Sequence, residues 1–266
     1  MQLGIIGGGA MAEALVSGLL TSATCTPSQI MVSDPQPDRC NLLIERYGVR
    51  ALNDNLAVAG CETLLLAIKP QVLGEVAKQL TGRIQSTLVI SILAGIPLSA
   101  LIGHFTGPAV VRAMPNTPAL IGAGITALSR SALVSPEQFI RARTLFEAVG
   151  EVVEVSETLM DAVTGLSGSG PGYIAVMVEA FIDGGVAAGL PRTVATQLFL
   201  QTLRGSAQML IQENLHPAAL KDQVTSPGGT TIAGIGELEA RSVRSACIAA
   251  VLAATERART LGRSTE

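Results

Sequence analysis

Hydrophobic and polar positions divide this chain into two textures. In the first, short apolar runs alternate with helical patterns. Leu3 to Ile6 predicts a strand; a glycine turn follows and opens an amphipathic helix through about Leu20. Ile30 to Ser33 predicts a second strand, and Pro37 to Tyr47 a helix stopped by Gly48. Thr63 to Ile68 reads as a buried strand, with a helix after Pro70. Leu88 to Leu93 and Ala109 to Ala113 read as further strands. Ile125 to Leu128 and Val152 to Val155 extend the set, with a helix over Pro136 to Val149 between them. Strands separated by helices imply a doubly wound parallel sheet with right-handed crossovers. From about Glu157 strand signals stop. Pro171 opens a helix to about Ala188, ended by Gly189, and Pro191 opens the next, to about Gln212. Segments His216 to Val224, Gly228 to Leu238 and Arg241 to Leu261 complete an all-helical region.

Composition sharpens this division. The 266 residues have room for two domains with ample core. They are 48% hydrophobic and 15% charged, with mean hydropathy +0.46. No uncharged apolar stretch reaches the length of a bilayer span, so a membrane is not the expected sink for that surface. Another subunit is. Phe181, Val186, Leu198, Leu203 and Leu210 on the long helices cannot all face one small core. A net charge of −3, 3% aromatics and no tryptophan argue against a nucleic-acid partner. Cys25, Cys40, Cys61 and Cys247 lack metal-site spacing and read as free thiols of a reducing cytoplasm. With only His104 and His216, no histidine-based metal site is expected. The opening lacks a basic segment, is interrupted by three glycines and carries Glu13. It reads as a domain start, not a targeting segment.

The candidate chemistry begins at Gly7-Gly8-Gly9-Ala10-Met11-Ala12. Gly7, Gly9 and Ala12 fit G-x-G-x-x-A, the small-residue form of the dinucleotide fingerprint. Gly7 permits the tight turn, Gly9 lets backbone approach a pyrophosphate, and Ala12 lets helix and strand pack closely. The helix start adds free N–H groups and partial positive charge. Asp34 follows the second strand. It either accepts from the adenosine ribose 2′-hydroxyl and repels a 2′-phosphate, or caps the helix after Pro37. Arg39 could act in the opposite sense. Lys69, before Pro70, either approaches the cofactor or is a solvated lysine beside a helix-starting proline. Ala94-Gly95 ends the fourth strand, where small residues leave room for a nicotinamide ring or form an ordinary loop. Met114-Pro115-Asn116-Thr117-Pro118 is a stiff loop that presents Asn116 outward or folds it onto its own backbone. In the helical region, Ser169 before Pro171 and Ser226 before Pro227 read as N-caps with proline at the first helical position. The glycines beside them suit a backbone cradle for a carboxylate.

Together these segments resemble the pyrroline-5-carboxylate reductase family. The resemblance runs through the glycine fingerprint, Ala67-Ile68-Lys69-Pro70, Met114 to Pro118, Asp161 to Pro171, and Leu220 to Val224 before Ser226-Pro227-Gly228-Gly229-Thr230-Thr231. It implies an α/β fold, with an N-terminal Rossmann domain over 1–156 and a C-terminal helical dimerisation and substrate domain over 157–266. The implied active site lies between one subunit's cofactor domain and the interlaced helical domains of a homodimer, which some relatives assemble into decamers. The implied reaction reduces the C=N bond of L-1-pyrroline-5-carboxylate to L-proline in the cytoplasm, with NADP(H) or NAD(H). Carried over residue by residue, Gly7, Gly8, Gly9, Ala10, Met11 and Ala12 hold pyrophosphate. Asn55, Ala67, Lys69, Pro70, Ala94 and Asn116 line the cofactor, and Asp34 joins them by its position after the second strand rather than by the family pattern. Glu157 and Thr164 lie near substrate, and Gly229, Thr230 and Thr231 bind it. An iminium needs little acid help, so orientation and one hydroxyl near nitrogen suffice, from Thr231 first and Thr164 second. Asp34 departs from the small hydroxyl residue of many relatives, which weakens the case for NADPH preference. Two alternatives remain at this level. A β-hydroxyacid dehydrogenase would carry a catalytic lysine on the helix after Pro171, which here reads Tyr173 to Glu179 without one. A non-catalytic NADPH-binding regulator would have no need of the Ser226 to Thr231 junction.

Overall fold

The computed structural model describes residues 2–84 and 88–263. Two compact units divide the chain: Met1–Ser169 with Leu252–Glu266, and Gly170–Val251.

The first unit is built on an eight-stranded sheet. Its elements run β1 (Leu3–Ile6), α1 (Ala10–Thr21), β2 (Ile30–Ser33), α2 (Pro37–Tyr47), β3 (Arg50–Leu52), α3 (Asn55–Val58), β4 (Thr63–Leu66), α4 (Leu73–Leu80), β5 (Leu88–Ser91), α5 (Leu98–His104), β6 (Ala109–Met114), β7 (Gly124–Arg130), α6 (Pro136–Glu147) and β8 (Gly150–Glu154). Strand order is β3-β2-β1-β4-β5-β6-β7-β8. The order reverses beside β1, which pairs in parallel with both β2 and β4. Side chains alternate between two cores, as a pleat requires. Leu3, Ile5, Leu65, Leu88 and Ile90 join Leu15, Leu43 and Phe146 of α1, α2 and α6. Ile6, Leu64, Leu66 and Val89 join Val76, Leu80 and Leu101 of α4 and α5 on the other face. A sheet covered on both faces explains why the strands read as continuous apolar runs. β6 and β7 pair antiparallel, Met114 opposite Ala127. Only a 3-10 turn at Thr117–Ile121 joins them, too short for a parallel crossover.

The helical elements are α7 (Met160–Val163), a π-helical turn over Thr164–Gly168, α8 (Gly170–Ala187), α9 (Arg192–Gln212), α10 (Pro217–Gln223), α11 (Thr230–Ala240) and α12 (Val243–Arg263). In the second unit α8 packs on α9, where Phe181 and Phe199 stack with centroids 4.6 Å apart. The Tyr173 hydroxyl donates to the Ala250 carbonyl at 3.4 Å. The end of α12 belongs to the first unit, where the Ala258 carbonyl and Leu261 approach the bend at Gly95.

Two expected caps are corrected. Ser169 is no N-cap: it sits in helical conformation, and its N–H donates to the Thr164 carbonyl at 2.9 Å. Ser169 closes the π turn, and Pro171 falls inside the first turn of α8, where a missing N–H costs little. Ser226 is no N-cap either. α11 starts at Thr230 with Gly229 as its cap residue. Gly228, at φ +67°, is left-handed and cannot begin a helix.

Candidate functional site

The glycine turn closes the C-terminal edge of β1. Gly7 has φ +99°, and its N–H donates to the Ser33 carbonyl at 2.7 Å. A Cβ there would run into the carbonyl of Ala67, so this close approach admits only glycine. At Gly9 an added Cβ would meet nothing within 4 Å. The glycine there leaves open space above the turn. Gly9 is also the cap residue of α1, and among the described residues no side chain caps the helix. The first-turn N–H groups of Ala10, Met11 and Ala12 therefore face an uncapped, partially positive helix start. Ala12 is buried against the sheet.

Gly8 is held from both sides of its peptide. Its N–H donates to Asp34 Oδ2 at 2.7 Å, and its carbonyl accepts from Arg39 Nε at 2.8 Å and Nη2 at 2.5 Å. Asp34 Oδ1 accepts from the Gln36 N–H at 2.9 Å. Asp34 thus braces the turn from the end of β2, while Gln36 occupies the cap position of α2. Arg39 Nη2 also reaches Glu13 Oε2 at 2.7 Å. Glu13 Oε1 accepts from Arg46 at 3.0 Å and from the Tyr47 hydroxyl at 3.1 Å. The hydrogen bond from Arg39 holds the Glu13 carboxyl below its ordinary value, against the opposing effect of burial. Burial, then Glu13, pushes the Tyr47 phenol up.

Beside the turn lies a cavity of about 570 Å³ lined by Gly7, Ser33, Asn55, Ile68, Val76 and Gln79 among others. It sits at the carboxyl ends of β1, β2 and β4, the switch point where doubly wound sheets bind ligands. A hydrogen-bonded row crosses it. Ser33 Oγ donates to Asn55 Oδ1 at 2.8 Å, and Asn55 Nδ2 donates to Gln79 Oε1 at 2.8 Å. The open Gly9 position, the uncapped α1 and this cavity fit a dinucleotide. Ala67 backs Gly7. Lys69 is exposed beside Pro70, which starts a 3-10 turn. Ala94 is half-buried before the bend at Gly95.

A second cluster lies further along the sheet. Asn116 folds neither outward nor onto its own loop. Its Oδ1 accepts from the Ile125 N–H at 3.0 Å, and its Nδ2 donates to the Ser167 carbonyl at 3.3 Å. It thereby ties β7 to the π turn. Thr164 opens that turn and donates to the Met160 carbonyl at 2.9 Å. Glu157 Oε1 accepts from the Leu98 N–H at 3.0 Å and from Arg112 Nη1 at 2.7 Å. Arg112, 5% exposed, also reaches Asp161 at 3.3 Å. Sequence reasoning passed over Arg112, Ser33, Gln79 and the bracing role of Arg39. The signal for Arg112 was there: it is a lone charge inside the apolar run Ala109–Met114.

In the second unit, Gly229 N–H donates to the Ser226 carbonyl at 3.1 Å. Among the described residues no side chain caps α11, so its first turn, with exposed Thr230 and half-buried Thr231, offers free N–H groups and two hydroxyls.

Comparison with known proteins covers both units. Residues 157–261 match the family model described as pyrroline-5-carboxylate reductase dimerisation. Residues 2–95 match the model described as NADP oxidoreductase coenzyme F420-dependent. The chain is 52% identical to the pyrroline-5-carboxylate reductase of Synechocystis sp. over 264 residues, covering 99% of each chain. Among solved structures, that of a pyrroline-5-carboxylate reductase from Coxiella burnetii has TM-score 0.91 at 35% identity, covering 98% of both chains. The Plasmodium falciparum pyrroline carboxylate reductase, solved with NADP bound, has TM-score 0.90 at 30% identity over the same share.

Proposed function

The chain belongs to the pyrroline-5-carboxylate reductase family, and from that premise we propose that it reduces the C=N bond of L-1-pyrroline-5-carboxylate, giving L-proline with consumption of NADPH. One observation carries this reading: 52% identity that extends over 99% of the chain and of its relative. When bound, NADP(H) supplies the hydride. Gly7 to Ala12 hold its pyrophosphate, and Asp34, Asn55, Ala67, Lys69, Pro70, Ala94 and Asn116 surround the rest. The uncapped start of α11 receives the substrate carboxylate on the backbone of Gly229 and Thr230. The Thr231 hydroxyl bonds the ring nitrogen, with Thr164 as the second candidate. A protonated imine is already electrophilic, so these groups orient more than they activate. Glu157 acts by position. Its Oε1, held by Arg112 and the Leu98 N–H, fixes the segment that leads to Thr164, while Oε2, buried without a partner among the described residues, is left for the substrate.

The same reading makes the homodimer the smallest working form, with a decamer of five dimers as the larger assembly. Neither nucleic acid nor membrane is a partner. The compartment is the cytoplasm, in keeping with cysteines not spaced as a disulfide framework. The test is proline formation from chemically prepared pyrroline-5-carboxylate with NADPH. Stoichiometric loss of NADPH with appearance of proline is expected. Tight cofactor binding with no proline formed would favour the regulator reading.

A further inference from the structure

The adenosine end of the cofactor site carries acid where a 2′-phosphate would need base. A 2′-phosphate is nearly dianionic and is normally met by Arg or Lys, whereas a ribose 2′-hydroxyl is met by a carboxylate. Asp34 is 9% exposed, and its neighbours Ser33 and Pro35 both line the cavity. Each of its oxygens accepts one backbone N–H and retains a second lone pair for a hydroxyl. Asp34 itself stands behind the cavity wall; the carboxylates that line the cavity are Asp54 and Glu75, and among the described residues its lining contains no Lys or Arg.

The two arginines of α2 that reach toward the turn are already paired. Arg39 spends Nε and Nη2 on the Gly8 carbonyl and pairs with Glu13. Arg46 pairs with the same glutamate at 3.0 Å. Arg39 keeps Nη1 for a further acceptor, but its charge is already paired with Glu13, so a 2′-phosphate reaching it would also meet the Glu13 and Asp34 carboxylates. We propose that Asp34 selects the cofactor: it accepts from the adenosine ribose, so that NADH binds at least as tightly as NADPH. The inference rests on the dinucleotide reading of the site and adds to it the choice between the two carriers.

The test is made on binding, apart from turnover. NADH and NADPH are titrated separately, and ADP-ribose is compared with 2′-phospho-ADP-ribose by calorimetry on the unmodified protein. ADP-ribose should bind the tighter. Asp34→Ser and the isosteric Asp34→Asn should each raise the ratio Kd(NADH)/Kd(NADPH) by about tenfold or more, since one like-charge contact is worth at least that. Arg39→Met should weaken both cofactors alike. Tighter binding of the 2′-phosphorylated fragment, or an unchanged ratio in both Asp34 variants, would overturn the proposal and leave Asp34 as a brace of the turn. Selective loss of NADPH in Arg39→Met would overturn it too, by making Arg39 the phosphate ligand. Proline formation is scored separately, so failure with that substrate leaves the cofactor result standing.

Discussion

Thr231 is the side chain proposed to meet the substrate, and Glu13 supports the glycine turn through Arg39. Thr231 lies in the first turn of α11, and among the described residues no side chain caps that turn. On the proposed role of Thr231, Thr231→Ala removes one hydrogen bond to the reacting ring and should cost about 1–3 kcal/mol of transition-state stabilisation. That is roughly 5- to 150-fold in kcat/KM for pyrroline-5-carboxylate, with Kd for NADPH little changed. A variant with full kcat/KM and a lowered melting point would reduce Thr231 to a helix-start residue. Glu13 works at one remove, through Arg39 and the Gly8 carbonyl. Its carboxyl is held below the ordinary value by Arg39, so the unfolded chain takes up the proton first as pH falls. The stability it supplies is present above about pH 4.5 and is lost as pH falls through the lowered folded value. Its side chain is 16% exposed, so solvent screens the pair only in part. Glu13→Gln should therefore be less stable by about 1–2 kcal/mol at neutral pH. The deficit should shrink to near zero well below pH 4, read from denaturant midpoints across pH. A deficit constant down to pH 3 would assign the loss to packing.

At the scale of elements, β1, the glycine turn and α1 were legible because each local signal agreed with the others: a both-faces-buried strand, a forced φ, an amphipathic helix. β2 and α2 were read with their bounds intact, Ile30–Ser33 and Pro37–Tyr47, since Pro37 and Gly48 mark both ends of the helix. β3, α3 and α5 were missed. At three, four and seven residues they are too short to show a period, and their formation rests on packing against the sheet. The junctions at Ser169 and Ser226 misled for a physical reason. Serine before proline is a local cap signal, but hydrogen bonding further along decided each case, through the π turn in one and the Ser226–Gly229 turn in the other. In the helical region the glycines suggested a carboxylate cradle from residue type alone, whereas the choice of Glu157, Thr164, Thr230 and Thr231 came from the resemblance, because free N–H groups and hydroxyls have no signature of their own. Asn116 belongs at this scale, since it joins β7 to the π turn rather than reaching outward. Asn116→Leu strands the Ile125 N–H and the Ser167 carbonyl. It should cost about 2–3 kcal/mol of stability and lower kcat through the displaced Thr164 segment. Asn116→Asp keeps the acceptor but loses the donor, so it should fall between. Equal loss in both would place the whole effect on the strand.

Over the whole molecule, the second unit cannot account for its own apolar surface. Of α8 and α9, only Ile182 and Ala195 are buried. Phe181 is 44% exposed, Leu198 55% and Ile211 73%. Ile232 and Leu238 of α11 and Ile248 of α12 are also exposed. Burying such a side chain is worth about 1.5–3 kcal/mol, so helices presenting this many have a strong drive to associate. The dimerisation model matching residues 157–261 covers the same stretch. A second copy of the chain is the occupant that satisfies both facts, and its contact would be isologous, each apolar face meeting the same face of its partner. Light scattering at micromolar concentration should then show at least a dimer, and the melting point should rise with protein concentration. Leu198→Asp places a charge in that interface. It should shift the protein toward monomer, remove the concentration dependence and suppress proline formation, while leaving NADPH binding to the first unit within a few-fold of normal. That last measurement separates dissociation from global unfolding. A monodisperse monomer with full proline-forming activity would mean that these helices bury their apolar faces some other way, and the oligomer would have no part in the reaction.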